Sequence, residues 1–113
     1  MILQRGRVAL VGLEPTLGHE QQGLRPCVLV SSPGVAASQK YPMICIVPVS
    51  STPGEGALYP KLDPGPSGLR NRSYALVDQL RSVDKQRVVK LYGLISPEEL
   101  HTLDEGIRLY LSL

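Results

Sequence analysis

The sequence predicts a mostly-β chain with one helix: a small barrel or strongly bent sheet followed by a C-terminal helix. Short runs of β-branched and aliphatic residues recur between clusters of Gly, Pro and polar residues. The last quarter instead places apolar residues at helical spacing behind a capping signal. At 113 residues without internal repeats, the chain has room for a single domain, 1–113, with one modest core. It contains no Trp or Phe, so that core must be aliphatic.

Arg7–Leu13, Cys27–Ser31, Met43–Val49, Tyr74–Val77 and Arg87–Tyr92 read as strands. Arg81–Arg87 reads as a strand end and a turn. Residues 51–73 carry Pro53, Pro60, Pro64 and Pro66 with Gly54, Gly56, Gly65 and Gly68, which no continuous strand or helix tolerates. The expectation there is a long, mobile surface loop with one short extended piece around Leu58–Leu62. Ser96-Pro-Glu-Glu99 is a capping box with Pro at the first helical position. Behind it Leu100, Leu103, Ile107, Tyr110 and Leu111 share one face. Gly106 costs a helix about 1 kcal/mol relative to Ala, and marks close packing or nothing.

No apolar run reaches the roughly 20 residues of a membrane span, and the N-terminus lacks the apolar segment and cleavage site of a secretory signal. Cys27 and Cys45 lie in separate apolar runs, which suits buried thiols in a reducing, cytoplasmic setting. Two His without ligand spacing leave no zinc site, and no metal or organic cofactor is implied. Residues 1–90 hold 11 Lys/Arg against 6 Asp/Glu, and residues 91–113 hold 1 against 4. A body of net +5 with a tail of net −3 suggests an anionic partner.

The chemistry concentrates between the first two strands, in Glu14-Pro-Thr-Leu-Gly-His-Glu-Gln-Gln-Gly-Leu-Arg-Pro26. This polar stretch is long for a hairpin connection and is anchored on rigid elements. Arg25 offers a planar fork suited to a phosphate, or else pairs with Glu14 or Glu20. Ser50, Ser51 and Thr52 leave the third strand as turn caps or as phosphate donors. His19 is the natural proton-transfer group near neutral pH, or a solvated loop residue. Asp78 ends a strand as a turn former or as a proton acceptor. Gln79 reads a base or satisfies backbone. Arg81, Lys85 and Arg87 look like a solvated turn that can meet phosphate. Lys61, Arg70 and Arg72 give the 51–73 segment a slight positive excess. No Gly-x-Ser-x-Gly elbow and no phosphate-cradling Gly-rich loop is present.

These residues resemble the signature of the MazF/PemK (Kid) toxins of bacterial toxin–antitoxin systems. The match runs through Arg5-Gly6, Glu14-Pro-Thr16, Gly18, Glu20-Gln21, Gly23 and Arg25-Pro26. It continues in Val47-Pro-Val-Ser50, in Asp78–Arg87 and in the terminal helix. The resemblance implies an SH3-like barrel of the MazF/PemK/CcdB type, a homodimer, and a metal-independent endoribonuclease acting on single-stranded RNA. Such cleavage leaves 2′,3′-cyclic phosphate and 5′-hydroxyl ends, and a cognate, acidic MazE-like antitoxin silences the enzyme.

By the same resemblance Arg25 is the catalytic arginine and Ser50 stands where the family has a catalytic Thr. His19 and Asp78 match catalytic residues of the PemK/Kid branch, and either is the candidate base. That branch also uses an Arg two positions before the Asp, where this chain has Leu76. Expected RNA contacts are Glu20, Gln21, Gln22, Ser51, Thr52, Lys61, Gln79, Arg81 and Tyr59, whose ring stacks on a base or packs on its own loop. Two rivals are a CcdB-like toxin that binds gyrase, and a plain SH3-like interaction module.

Overall fold

The structure is a computed structural model that describes residues 2–113. Seven strands make one antiparallel sheet: β1 (Arg7–Gly12), β2 (Leu24–Leu29), β3 (Met43–Ser50), β4 (Lys61–Leu62), β5 (Ser73–Ala75), β6 (Arg81–Asp84) and β7 (Val88–Leu94). The order is β4-β5-β3-β2-β1-β7, and β6 also pairs with β3. Two helices, α1 (Pro33–Ala37) and α2 (Pro97–Leu111), complete the fold.

β3 forces the sheet to curl, because it serves two further partners in succession besides β2. Met43–Ile46 pair with β6, whereas Val49 and Ser50 pair with β5. Pro48 sits between those two ladders, a position where its missing N–H interrupts neither. The curl buries both faces. Ala9, Val11, Cys27, Leu29, Ile44, Ile46 and Val83 fill the inside with Ala36 of α1. Val8, Val28, Val47 and Val49 pack outward against Leu62, Leu69 and Leu103. Strand alternation sends neighbouring residues to opposite cores, so an aliphatic sequence suffices for both.

The 51–73 segment is not the loose surface loop expected from its Pro and Gly content. Leu62 and Leu69 are buried, and β4 and β5 pair with each other. The segment lies flat on β7 at Gly93, whose N–H donates to the Ser67 carbonyl (3.0 Å). A Cβ on Gly93 would sit 1.7 Å from the Pro66 carbonyl oxygen. The extended piece falls at Lys61–Leu62, inside the expected window's edge.

α2 begins as expected. The Ser96 hydroxyl accepts from the Glu99 N–H (3.1 Å), and Glu99 accepts in return from the Ser96 N–H (2.9 Å). The second Glu99 oxygen accepts from the Asp63 N–H (2.7 Å), tying the helix start to the central segment. Gly106 marks close packing: a Cβ there would lie 2.8 Å from the Ala57 carbonyl oxygen. Leu103 is buried, but Tyr110 and Leu111 are exposed, so the expected apolar face leaves the core in its last turn. Helix α1 had no signal in the sequence reading. Lys85 caps its end by donating to the Val35 and Ser38 carbonyls (2.7 Å each).

Candidate active site

The 13–23 loop is built from its own polar groups. Its neck closes with the Leu13 N–H donating to the Gly23 carbonyl (3.0 Å). The Glu14 carboxylate accepts from the Gly23 N–H (3.0 Å), and Glu20 accepts from the Leu17 N–H (2.8 Å). Gly23 has φ +72°, a left-handed conformation that favours glycine at the point where the loop rejoins β2. Arg87 donates to the Gly12 and Glu14 carbonyls and holds the loop from below. Arg81 donates to the Leu13 carbonyl (3.3 Å) and pairs with Glu20 (3.7 Å). Arg81, Lys85 and Arg87 are therefore structural clamps, not the solvated turn expected. Glu20 is likewise taken up by the loop.

Arg25 emerges from this brace at the start of β2. Extending the β2–β3 register two residues from the Cys27–Pro48 pair sets it across from Ser50, the last residue of β3. Both line a cleft of about 540 Å³ with Gln21, Ser51 and Thr52. Arg25 is exposed, and its Nε donates to the Gln22 carbonyl (2.8 Å), which orients the guanidinium and leaves both terminal nitrogens for a ligand. It pairs with neither Glu14 nor Glu20. The Ser50 Oγ accepts from the Thr52 N–H (3.1 Å), so its own hydroxyl proton is available to an anionic oxygen.

The remaining candidates separate. Asp78 lines a neighbouring recess of about 160 Å³ with Glu20, Gln79 and Arg81, and Gln21 lines both spaces. The Asp78 carboxylate accepts from the Tyr59 hydroxyl (2.7 Å). That bond raises the Tyr59 pKa, because ionising the phenol would lose it and face the carboxylate. The Tyr59 ring lies against Gly54, where a Cβ would come within 2.9 Å. Tyr59 thus packs on its own loop, the second of its two expected roles. Gln79 is a clip: its side-chain oxygen accepts from the Gln21 N–H (2.8 Å) and its amide donates to the His19 carbonyl (3.2 Å). It satisfies backbone at both ends and keeps one amide N–H outside these bonds. The His19 side chain lines neither space, and Lys61 is exposed on β4 outside the cleft. Gln22 contributes its carbonyl to Arg25. Leu76 is buried, so no cation replaces the Kid-type Arg there.

The structure adds residues that the sequence reading passed over. Arg70, Asn71, Lys90 and Tyr92 line the same cleft. Arg70 had been noted only for charge. Lys90 gave one usable signal, a cation on a strand whose flanking Val89 and Leu91 are apolar. Arg25, Arg70 and Lys90 are the cleft's only charged residues, and it holds no Asp or Glu. Among the described residues none of the three pairs with a carboxylate. Elsewhere three arginines pair with carboxylates, Arg5 with Asp104, Arg72 with Asp63 and Arg81 with Glu20. Among the described residues no three His, Cys, Asp or Glu side chains gather to hold a metal ion. Neither cysteine forms a disulfide. Burial pushes the Cys27 thiol up to about 12, with Arg81 opposing weakly, and burial also raises Cys45. No helix among the described residues is long and apolar enough to cross a membrane.

A curled sheet thus carries a cationic cleft without Asp or Glu beside a seryl hydroxyl, chemistry that suits an anionic ligand. Residues 4–111 match the model of the PemK-like, MazF-like toxins of type II toxin–antitoxin systems. The chain is 32% identical over 118 residues to endoribonuclease MazF9 of Mycobacterium tuberculosis, covering 99% of this chain and 98% of that protein. It is 28% identical over 116 residues to endoribonuclease EndoA of Bacillus subtilis, covering 100% and 97%. The fold superposes on crystalline MazF of Deinococcus radiodurans with a TM-score of 0.84, at 21% identity over 100% of this chain and 99% of that one. The chain belongs to the PemK-like, MazF-like toxin family, whose curated relatives named above are endoribonucleases.

Proposed function

We propose that this toxin is a metal-independent endoribonuclease that cuts single-stranded RNA in the Arg25–Ser50 cleft. In this reading it acts in the cytoplasm as a homodimer, and an acidic MazE-like antitoxin silences it. The observation that carries the reading is the cleft itself: three cations without a carboxylate partner, no Asp or Glu, and a hydroxyl across from a guanidinium. Membership of a type II toxin–antitoxin family supports an antitoxin partner. Two free cysteines suit a reducing compartment.

The ribose 2′-oxygen attacks the adjacent phosphorus, the bond to the 5′-oxygen breaks, and a 2′,3′-cyclic phosphate and a 5′-hydroxyl remain. The base takes the 2′-hydroxyl proton, and Arg25 or a solvent water gives the departing 5′-oxygen its proton. Arg25 faces the phosphorane, where its two free nitrogens offset the growing charge. Ser50 donates to a non-bridging oxygen. Of the two candidate bases Asp78 is favoured, because its recess adjoins the cleft at Gln21 whereas the His19 side chain lines neither. Gln21, Ser51 and Thr52 remain the base-reading candidates.

Purified protein incubated with defined single-stranded RNA and excess chelator should cut it, leaving cyclic-phosphate and 5′-hydroxyl ends by end-mapping. Cleavage that stops with the chelator, or 5′-phosphate ends, would overturn this chemistry. Asp78→Asn should lower kcat by about 100-fold or more, and His19→Ala much less. The reverse order would reassign the base.

A further inference from the structure

We propose that Arg70 and Lys90 form a second phosphate-gripping wall in the same cleft, which holds the backbone of a nucleotide flanking the cut without regard to its base. The inference rests on the RNA-cleaving reading above.

The spacing argues for a different phosphate from the one at Arg25. Leu10 of β1 pairs with Pro26 of β2 on one side and with Lys90 of β7 on the other. All three line the cleft. Lys90 therefore stands two strand spacings, about 10 Å, across the floor from the residue next to Arg25. A lysine rooted that far from the Arg25 strand is placed to meet a neighbouring link of the chain while Arg25 holds the scissile one.

Both cations stand on braced supports. The Lys90 Nζ lies 5.3 Å from the centre of the Tyr92 ring. Tyr92 is held in turn by Arg7, which donates to its carbonyl (2.6 Å), and by close contact with Gly68. Arg70 sits between buried Leu69 and Asn71, whose carbonyl accepts from the Ser73 hydroxyl (2.9 Å). Neither cation has a carboxylate partner among the described residues, unlike Arg5, Arg72 and Arg81. A phosphodiester would supply the missing counter-charge, and such contacts position a strand without reading it.

The test uses the full chain with single-stranded RNA carrying a 2′-deoxy substitution at the mapped cut site, and with a scrambled RNA of equal length. Lys90→Gln and Arg70→Gln should each weaken binding about fivefold, equally for both RNAs. Each should also reduce the slope of log affinity against log salt by about 0.7, the value for one lost single-strand phosphate contact. On cleavable RNA the loss should fall on KM and not on kcat. Lys90→Arg should keep the slope. Unchanged slopes, or a loss confined to kcat, would overturn the wall. If Arg25→Ala abolishes cutting while both Gln variants match wild type, only the wall fails. If the wild-type protein neither binds nor cuts RNA, the functional reading fails and takes the wall with it.

Discussion

The cleft joins two regions built in opposite ways. The 13–26 side is dense in polar residues, and most of them are bonded to one another. Glu14, Glu20, Gln79 and Arg81 all serve the loop, and Arg25 alone leaves its terminal nitrogens free. On the side made by β7 and residues 68–73, Arg72 pairs with Asp63, but Lys90 and Arg70 stand without a carboxylate partner. Functional potential therefore follows the groups left uncommitted, not the number of polar residues. Many bonds on one side surround one oriented guanidinium, and two cations without carboxylate partners stand on the other.

The largest effect should come from Arg25, whose terminal nitrogens the dense side leaves open. Arg25→Ala should lower kcat by about 100- to 1000-fold, the usual cost of removing a donor aimed at developing charge. Thermal melting should stay near wild type, because the side chain is exposed and makes one bond to a local carbonyl. An active Arg25→Ala would erase the distinction between the two sides. Gly93→Ala probes the other side. Its Cβ would strike the Pro66 carbonyl, so the 66–69 crossing must move, at a cost of about 1–3 kcal/mol in chemical denaturation. RNA affinity should fall along with stability. A Gly93→Ala protein of wild-type stability would show that the crossing is loosely held.

The effect confined to alkaline pH concerns Cys27, two residues beyond Arg25 and sealed in the core. Its pKa rises on folding from 9.0 to about 12, so the folded state holds that proton more tightly. The resulting contribution is fully present below pH 9 and is lost as pH climbs towards 12. Wild-type stability should therefore decline across that window, and Cys27→Val should flatten the decline in equilibrium unfolding. Equal slopes in both proteins would place the alkaline loss elsewhere.

Much of the fold was legible because local signals and tertiary need coincide. The strand segments of β1 and β3 and the capping box of α2 were placed within a residue or two. β2 begins three residues earlier than its apolar run, since Leu24–Pro26 pair with β1 while still exposed or half-buried. Residues 51–73 misled because Pro and Gly report local backbone, whereas Leu62 and Leu69 are anchored by distant partners. Arg25 and Ser50 were legible as a pair through the motif. Tyr59 and Gln79 were not, because their partners, Asp78 and Gln21, lie 19 and 58 residues away.

By itself the amino-acid order determined the strand-rich body, the capped helix and the one arginine poised for a phosphate. Those features depend on periodicity, turn chemistry and neighbours a few positions apart. Only the tertiary structure decided which charged groups are consumed and which stay open. An ion pair or a carbonyl clamp joins residues far apart in the chain, and only their meeting in space tells a clamp such as Arg87 from an open cation such as Lys90.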